Sequence, residues 1–165
     1  MISRANIDDA VAGYVDGMLL AALASSAWFH SGFGPSDIPK PALASMRRDV
    51  TAFVKRNERS IRSAMDRLDL GIVERRGWDG VGRDFADVRN SNIVRGAVVQ
   101  TRGATEVVRF SDLGWRSDDY DPGSRPNEDI RKLDEAAWAF PKTAIYVEEY
   151  EPGFARLGFW EESRR

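Results

Sequence analysis

The chain has 165 residues, of which 42% are hydrophobic and 30% are charged, and its formal net charge is −2. This length and composition predict one globular domain over residues 1–165. The sequence contains no cysteine, which excludes disulfides and thiolate chemistry and agrees with a cytoplasmic location. No segment has the pattern of a membrane span or a signal peptide, so no membrane association is expected.

Charge is unevenly distributed along the chain. Residues 40–109 are basic, whereas residues 1–39 and 110–165 are acidic. A basic middle segment between acidic ends has two interpretations. Either it binds an anionic partner, or the three segments neutralise one another in the folded protein.

The first predicted element is a helix over residues 7–24. Asn6 is a suitable N-cap, and Asp8 and Asp9 follow in the first turn, where the helix dipole favours negative charge. Residues 25–29 are compatible with a strand or an apolar loop, after which glycine and proline break the chain. Apolar side chains recur at helical spacing along the helix at Ile7, Val11, Tyr14, Met18 and Ala22.

A long amphipathic helix from about Pro41 to Leu70 is the best-defined element. Proline suits the first turn of a helix, and Gly71 is placed to cap the C-terminus. One face is apolar and keeps its phase past Asn57, which favours one continuous helix over two. The side chains of that face are Leu43, Met46, Val50, Phe53, Val54, Ile61, Ala64, Met65 and Leu68.

The opposite face of this helix carries a basic stripe. Glu58 and Asp66 each lie four residues from one of its arginines and neutralise part of it. Three interpretations stay open: a solvated surface, a site for a phosphate backbone, and a site for an acidic protein. Aromatic residues do not interleave with the cations, which disfavours binding of single-stranded nucleic acid. The cations are Arg48, Lys55, Arg59 and Arg62.

The middle of the chain is rich in glycine and β-forming residues. Residues 77–82 are interpreted as a loop, and short strands are predicted over 84–88, 93–101 and 105–110. The last two strands are joined by residues 102–104, a suitable hairpin turn. Residues 114–127 are polar and rich in turn formers, so a long surface loop is predicted there.

The C-terminal segment predicts a helix over residues 127–140, which Pro141 ends. Two strands follow, over 143–150 and 155–160, around a turn at 151–153. The order of elements predicts an α+β fold, in which a helical N-terminal half packs on a small, mostly antiparallel sheet. One further helix precedes the C-terminal strands.

The sequence lacks a complete catalytic set. His30 is the only histidine, too few for a histidine-based zinc site or a Ser-His-Asp triad. The acidic run at 118–121 does not complete a calcium loop, and the glycines at 77–82 lack the lysine of a P-loop. We therefore expect no bound metal, no cofactor and no enzymatic activity, with a metal-dependent hydrolase as the least favoured alternative.

Five tryptophans are many for a chain of this size. Core packing accounts for most of them, but Trp78 and Trp115 lie in polar loop-like sequence. If either is exposed, it is a candidate hot spot for binding another protein.

Five segments occur in the order seen in a group of small phage and prophage proteins of uncharacterised function. The central segment, Gly82-Arg83-Asp84-Phe85-Ala86-Asp87-Val88-Arg89-Asn90, resembles the group's Gly-His-Asp-Phe-Trp-Leu-Thr-Arg-Asn-Gly motif, although its histidine and tryptophan are replaced. The upstream segments are Ser36-Asp37-Ile38-Pro39 and Met46-Arg47-Arg48-Asp49-Val50-Thr51-Ala52-Phe53, and the downstream ones are Leu133-Asp134-Glu135-Ala136-Ala137 and Ile145-Tyr146-Val147.

This resemblance implies an accessory protein of a phage or mobile element that acts in the host cytosol. It implies no catalytic role. The expected function is binding to a host protein or nucleoprotein in host takeover or counter-defence, and the alternative is nucleic-acid binding by the basic stripe. Within the motif, Asp84 and Arg89 are candidate binding residues, or else they form a structural salt bridge or cap a hairpin.

Overall fold

A computed structural model describes residues 1–24, 32–66, 77–90, 98–101, 104–107 and 128–163. The fold is α+β, with a helical N-terminal half, as the sequence predicts. In chain order the elements are α1 (Arg4–Leu23), a short 3-10 helix (Pro35–Asp37), α2 (Lys40–Asp66), α3 (Trp78–Arg89), β1 (Val98–Thr101), β2 (Ala104–Val107), α4 (Glu128–Trp138), β3 (Thr143–Glu151) and β4 (Phe154–Glu161).

Helix α1 begins three residues earlier than the sequence predicts. Ser3 is the N-cap, because its backbone is extended and its side chain accepts a hydrogen bond from the Asn6 amide at 3.1 Å. The prediction that Asn6 caps the helix is therefore wrong, and Asp8 and Asp9 lie beyond the first turn. The predicted apolar positions Ile7, Tyr14 and Met18 are buried.

Helix α2 is continuous past Asn57, as its unbroken apolar phase predicts. The Asn57 side chain donates to the carbonyl of Phe53 at 2.8 Å, so it bonds within the helix without interrupting it. Six of the predicted apolar residues are buried: Met46, Val50, Phe53, Val54, Ile61 and Ala64. Leu68 and the predicted cap Gly71 lie outside the described residues.

The segment from residue 78 to residue 89 is a helix, so the predicted loop over 77–82 and strand over 84–88 are wrong. Trp78, Val81, Phe85 and Val88 are buried at three- and four-residue spacing, which is a helical pattern. The error comes from glycine, which usually marks a turn in sequence. Here Gly82 instead permits the backbones of α3 and α1 to approach closely.

Strands β1 and β2 form the predicted antiparallel hairpin, with Val98 opposite Val107 and Thr101 opposite Ala104. The remaining parts of the two predicted strands, at 93–97 and 108–110, lie outside the described residues. So do the predicted surface loop at 114–127 and the segment at 25–29.

The C-terminal elements agree with the prediction. Helix α4 buries Leu133 and Ala137. Strands β3 and β4 pair antiparallel from Thr143 opposite Glu161 to the turn, with an irregularity between Glu149 and Glu151. Gly153 has a φ of 83° in that turn, a conformation that glycine adopts without strain.

Aromatic rings from three helices and the α4–β3 connection fill the centre of the core. Phe53 of α2 stacks on Phe85 of α3 at a centroid distance of 4.2 Å. Phe140 meets Phe85 edge to face at 5.1 Å, and Tyr14 of α1 lies 5.3 Å from Phe85.

Among the described helices, none is long and apolar enough to cross a membrane.

Candidate functional site

Arg89, a candidate binding residue, lies inside the protein with 1% of its surface exposed. Its guanidinium donates three hydrogen bonds to three different elements. The acceptors are the carbonyl of Pro141 at 2.6 Å, the hydroxyl of Tyr14 at 3.1 Å and the carboxylate of Asp49 at 2.9 Å. The guanidinium also lies 5.6 Å from the Phe85 ring centroid and 5.5 Å from that of Phe140. Arg89 therefore joins α3 to α1, α2 and the α4–β3 connection.

The counter-ion of Arg89 is Asp49 of α2, which is 3% exposed. The sequence suggested Asp84 as a partner within the motif, but Arg89 forms its ion pair with Asp49, forty residues away. Asp84 is itself fully buried. Because a macromolecular partner cannot reach either motif residue, their position favours a structural role.

Tyr14 and Asn90 extend this buried polar cluster to β3. The Tyr14 hydroxyl lies 3.1 Å from Thr143 Oγ1, and the Thr143 amide donates to the Asn90 side chain at 2.8 Å. Burial raises the pKa of the Tyr14 phenol above its ordinary value of 10.0, although Arg89 partly opposes this effect. The phenol therefore stays neutral and keeps its hydrogen bonds throughout the physiological range.

Replacing Tyr14 with phenylalanine is expected to lower the free energy of unfolding by about 1–3 kcal/mol at neutral pH, because buried polar partners lose a hydrogen bond. Because the pKa of the Tyr14 phenol is higher in the folded protein than in the unfolded chain, its contribution to stability is complete below the unfolded-state pKa. That contribution is lost as the pH rises through the folded-state pKa. The difference in free energy of unfolding between wild type and Tyr14→Phe should therefore become smaller above pH 10. Urea unfolding of both proteins at about pH 7 and about pH 11 measures this difference. A difference that does not change with pH would contradict the stabilising role of the neutral Tyr14 phenol.

The predicted basic stripe of α2 is divided into two parts by the fold. Arg48 binds the Asp49 carboxylate at 3.2 Å, lies 3.9 Å from Glu161 of β4 and donates to Ser45 at 3.0 Å. It therefore connects α2 to the C-terminal hairpin. Further along the helix, one shallow depression is lined by the basic face, which we define as Lys55, Arg56, Arg59 and Arg62.

Three side chains of the basic face are available to a partner. Lys55, Arg56 and Arg59 are exposed and form no ion pair with any residue that the structure describes. Arg62 donates to Glu58 at 3.0 Å, and this hydrogen bond lowers the pKa of the Glu58 carboxyl. The predicted neutralisation of part of the basic stripe by Glu58 is therefore observed. The side chain of Asp66 lies outside what the structure describes.

Trp78 does not meet the condition set for a binding hot spot, because it is only 9% exposed. The Arg62 guanidinium lies 5.3 Å above its ring centroid, a cation–π contact that covers the indole. Trp115 lies outside the described residues, so its exposure stays a prediction.

The C-terminal hairpin carries large aromatic side chains on its outer face, which we define as Tyr146, Tyr150, Phe154 and Trp160. Their exposed fractions are 46%, 52%, 59% and 51%. Ile145 and Leu157 are buried on the inner face, against the core. An ordinary exposed strand face is polar, whereas this outer face presents large aromatic side chains to solvent.

Contacts along the hairpin position three of the four rings of this outer face, those of Tyr146, Tyr150 and Phe154. The Tyr146 ring lies across Gly158, where an added Cβ would be 2.3 Å from its Cζ atom. Arg156 donates to Glu148 at 2.9 Å and lies 5.5 Å from the Tyr150 ring centroid. Tyr150 in turn lies 6.4 Å from Phe154. A partner would meet rings that are already positioned, which reduces the entropy lost on binding.

Sequence reasoning missed Asp49, Arg56 and the outer face of the hairpin. Asp49 lies on the predicted α2 helix, but its partner is distant in sequence. The outer face had a usable signal in the sequence. Tyr146 and Tyr150 are four residues apart in a predicted strand, so alternation of side chains places both on the same face. Across the described ranges, no group of three histidine or acidic side chains is arranged to hold a metal ion.

Comparison with known proteins gives no match to this chain among protein-family models, curated proteins or solved structures.

Proposed function

We propose that this chain is a non-enzymatic accessory protein of a phage or mobile element that binds a host protein or nucleoprotein. It would act in the host cytosol as an inhibitor, in takeover or counter-defence. The observation that carries the binding proposal is the exposed outer face of the β3–β4 hairpin. The resemblance of the Gly82–Asn90 segment to phage proteins supports the setting.

The composition of the outer face favours a protein partner. Tyrosine, tryptophan and arginine are the residues most enriched at the energetic centres of protein interfaces. All three types occur together here, at Tyr146, Trp160 and Arg156. The exposed aromatic side chains on this one strand face are therefore a candidate binding site for a protein.

Replacing Trp160 with alanine is expected to abolish capture of the host partner while leaving the fold intact. The indole is about half exposed, so its removal costs little folding energy but removes a candidate hot spot. The measurement is quantitative affinity capture from host lysate with the tagged chain, with circular dichroism to verify the fold.

The matched control for this experiment is Trp138→Ala. Trp138 of α4 is 54% exposed, close to the 51% of Trp160, but it lies outside the outer face. Capture should be retained in that variant. If wild type enriches no host protein, the proposed function is wrong. If both variants retain capture equally, the chain binds its partner through another surface and the assignment to the outer face is wrong.

Nucleic-acid binding by the basic face is the second candidate function. It is favoured by the exposure of Lys55, Arg56 and Arg59 without ion pairs among the described residues. From Lys55 to Arg62 the helix rises about 10 Å, which is enough to contact more than one phosphate. No exposed aromatic ring lies among the residues lining the depression, so a duplex backbone is favoured over single strands.

Under this second candidate, the double change Lys55→Glu with Arg59→Glu should abolish binding of a labelled DNA duplex. Affinity of the wild type should fall steeply with salt, because each phosphate contact releases a counterion. Fluorescence anisotropy measures both effects. Arg131→Glu, an exposed change on α4, is the control that should leave binding unchanged. Salt-insensitive binding, or equal loss in the control, would rule out this function.

A further inference from the structure

The outer face of the β3–β4 hairpin is too small to form a stable interface by itself. Eight residues of two adjacent strands cover about 25 Å by about 10 Å, or roughly 250 Å². A specific protein interface buries about 800 Å² on each partner. The aromatic side chains can therefore form only the centre of an interface, and surrounding residues must provide the rest.

The surroundings of the outer face are acidic. Residues 143–163 contain five glutamates and one arginine. That arginine, Arg156, is bonded to Glu148, and Glu161 lies 3.9 Å from Arg48 of α2. Glu149, Glu151 and Glu162 form no ion pair with any residue that the structure describes. Glu151 and Glu162 are exposed beside the strand ends. A partner that covers the aromatic centre must consequently also face carboxylates.

We infer that the occupant of this face is a protein surface with an apolar pocket surrounded by lysine and arginine. This inference rests on the proposed function and specifies the class of host partner. Opposite charge around an apolar centre accelerates encounter and favours the correct partner over others. Among host proteins, surfaces that bind nucleic acid have this positive charge.

The same charges disfavour two other occupants. A nucleic acid would bring phosphates against the glutamates, although its bases can stack on aromatic rings. A second copy of the chain, docked by the same face, would bring one acidic hairpin against another. Like charges brought together at an interface lower the affinity, so both occupants are less favourable than a basic protein.

A display selection tests this inference with peptides in place of the partner. The whole chain is used to select from a library of random peptides displayed on yeast. We expect the enriched peptides to combine lysine or arginine with aromatic or aliphatic residues. Enrichment of acidic or uncharged peptides would overturn the inference, and so would the absence of any enrichment.

Variants of the chain then locate the binding on the hairpin. Trp160→Ala should weaken binding of a selected peptide at least about 30-fold, as expected for a hot spot, whereas Trp138→Ala should not. Glu151→Lys should weaken it several-fold, whereas Asp16→Lys on the exposed side of α1 should not. Raising salt from about 50 to about 300 mM should also weaken binding about tenfold.

The outcomes separate this inference from the proposed function. Capture of a host protein that depends on Trp160 but is unaffected by salt and by Glu151→Lys would keep the function and overturn the basic partner. Dimerisation that is lost in Trp160→Ala, measured by sedimentation, would assign the face to a second copy. Oligonucleotide binding lost in the same variant would assign it to nucleic acid. Either result would overturn the inference.

Discussion

Replacing Arg89 with methionine is expected to lower the free energy of unfolding by about 3–5 kcal/mol, because it removes the buried counter-ion of the Asp49 carboxylate and leaves that carboxylate only the half-exposed Arg48. Asp49 is 3% exposed and lies 2.9 Å from the Arg89 guanidinium. The same change removes hydrogen bonds to Tyr14 and to the Pro141 carbonyl. Lysine should not restore stability, because one ammonium cannot reproduce the planar fork that reaches three acceptors.

Chemical denaturation of single and double variants measures this coupling. Adding Asp49→Asn to Arg89→Met should recover part of the loss, because the buried carboxylate is then uncharged. Arg48→Met is the matched control: Arg48 bonds the same carboxylate, but its side chain is 59% exposed, and its removal should cost less than about 1 kcal/mol. Equal losses for Arg48→Met and Arg89→Met would show that burial of the ion pair does not determine its contribution.

Replacing Gly82 with alanine should destabilise the protein by about 3 kcal/mol, because the added methyl group has no space at the α1–α3 contact. A Cβ at Gly82 would lie 1.7 Å from the Ala10 carbonyl oxygen, and one at Gly13 would lie 1.8 Å from that of Asp79. Both obstacles are backbone atoms, so the two helices would have to separate. Alanine favours helix by about 1 kcal/mol over glycine, and the steric loss must exceed this gain.

Other glycines provide a graded control for this prediction. At Gly17 the nearest atom would be the Ala86 Cβ at 3.3 Å, so Gly17→Ala should cost less than Gly82→Ala. At Gly34 no atom lies within 4 Å, and the change to alanine should be nearly neutral. Thermal and denaturant unfolding of the set should show a much larger loss of stability for Gly82→Ala than for the other two variants. A Gly82→Ala variant as stable as wild type would contradict the close helix packing.

The sequence was sufficient for elements whose pattern is local. The apolar phase of α2 from Met46 to Ala64 repeats over several turns, so burial follows directly from periodicity. The α+β class followed from the order of such elements. For α3 the local signal was misleading, because Gly80 and Gly82 resemble turn residues when their neighbours in space are unknown.

The candidate sites depended more strongly on tertiary structure. Sequence identified Lys55, Arg59 and Arg62 as cations on one side of α2, but only the fold showed that Arg48 is engaged with Asp49 and Glu161. The fold also added Arg56 to the basic face and showed that Trp78 is covered by Arg62. Ion pairs and ring contacts join residues distant in sequence, and periodicity carries no information about them.

The sequence by itself determined which face of α2 is apolar, because side-chain periodicity is a property of each element. Only the tertiary structure decided that α3 is a helix packed on α1, and that Arg89 is a buried cation rather than a surface one. Both depend on close approach between segments: Gly82 lies against the Ala10 carbonyl, and Asp49 supplies the charge that makes burial of Arg89 tolerable. The outer face of the hairpin is likewise exposed because the other face of the same strands is buried against the core.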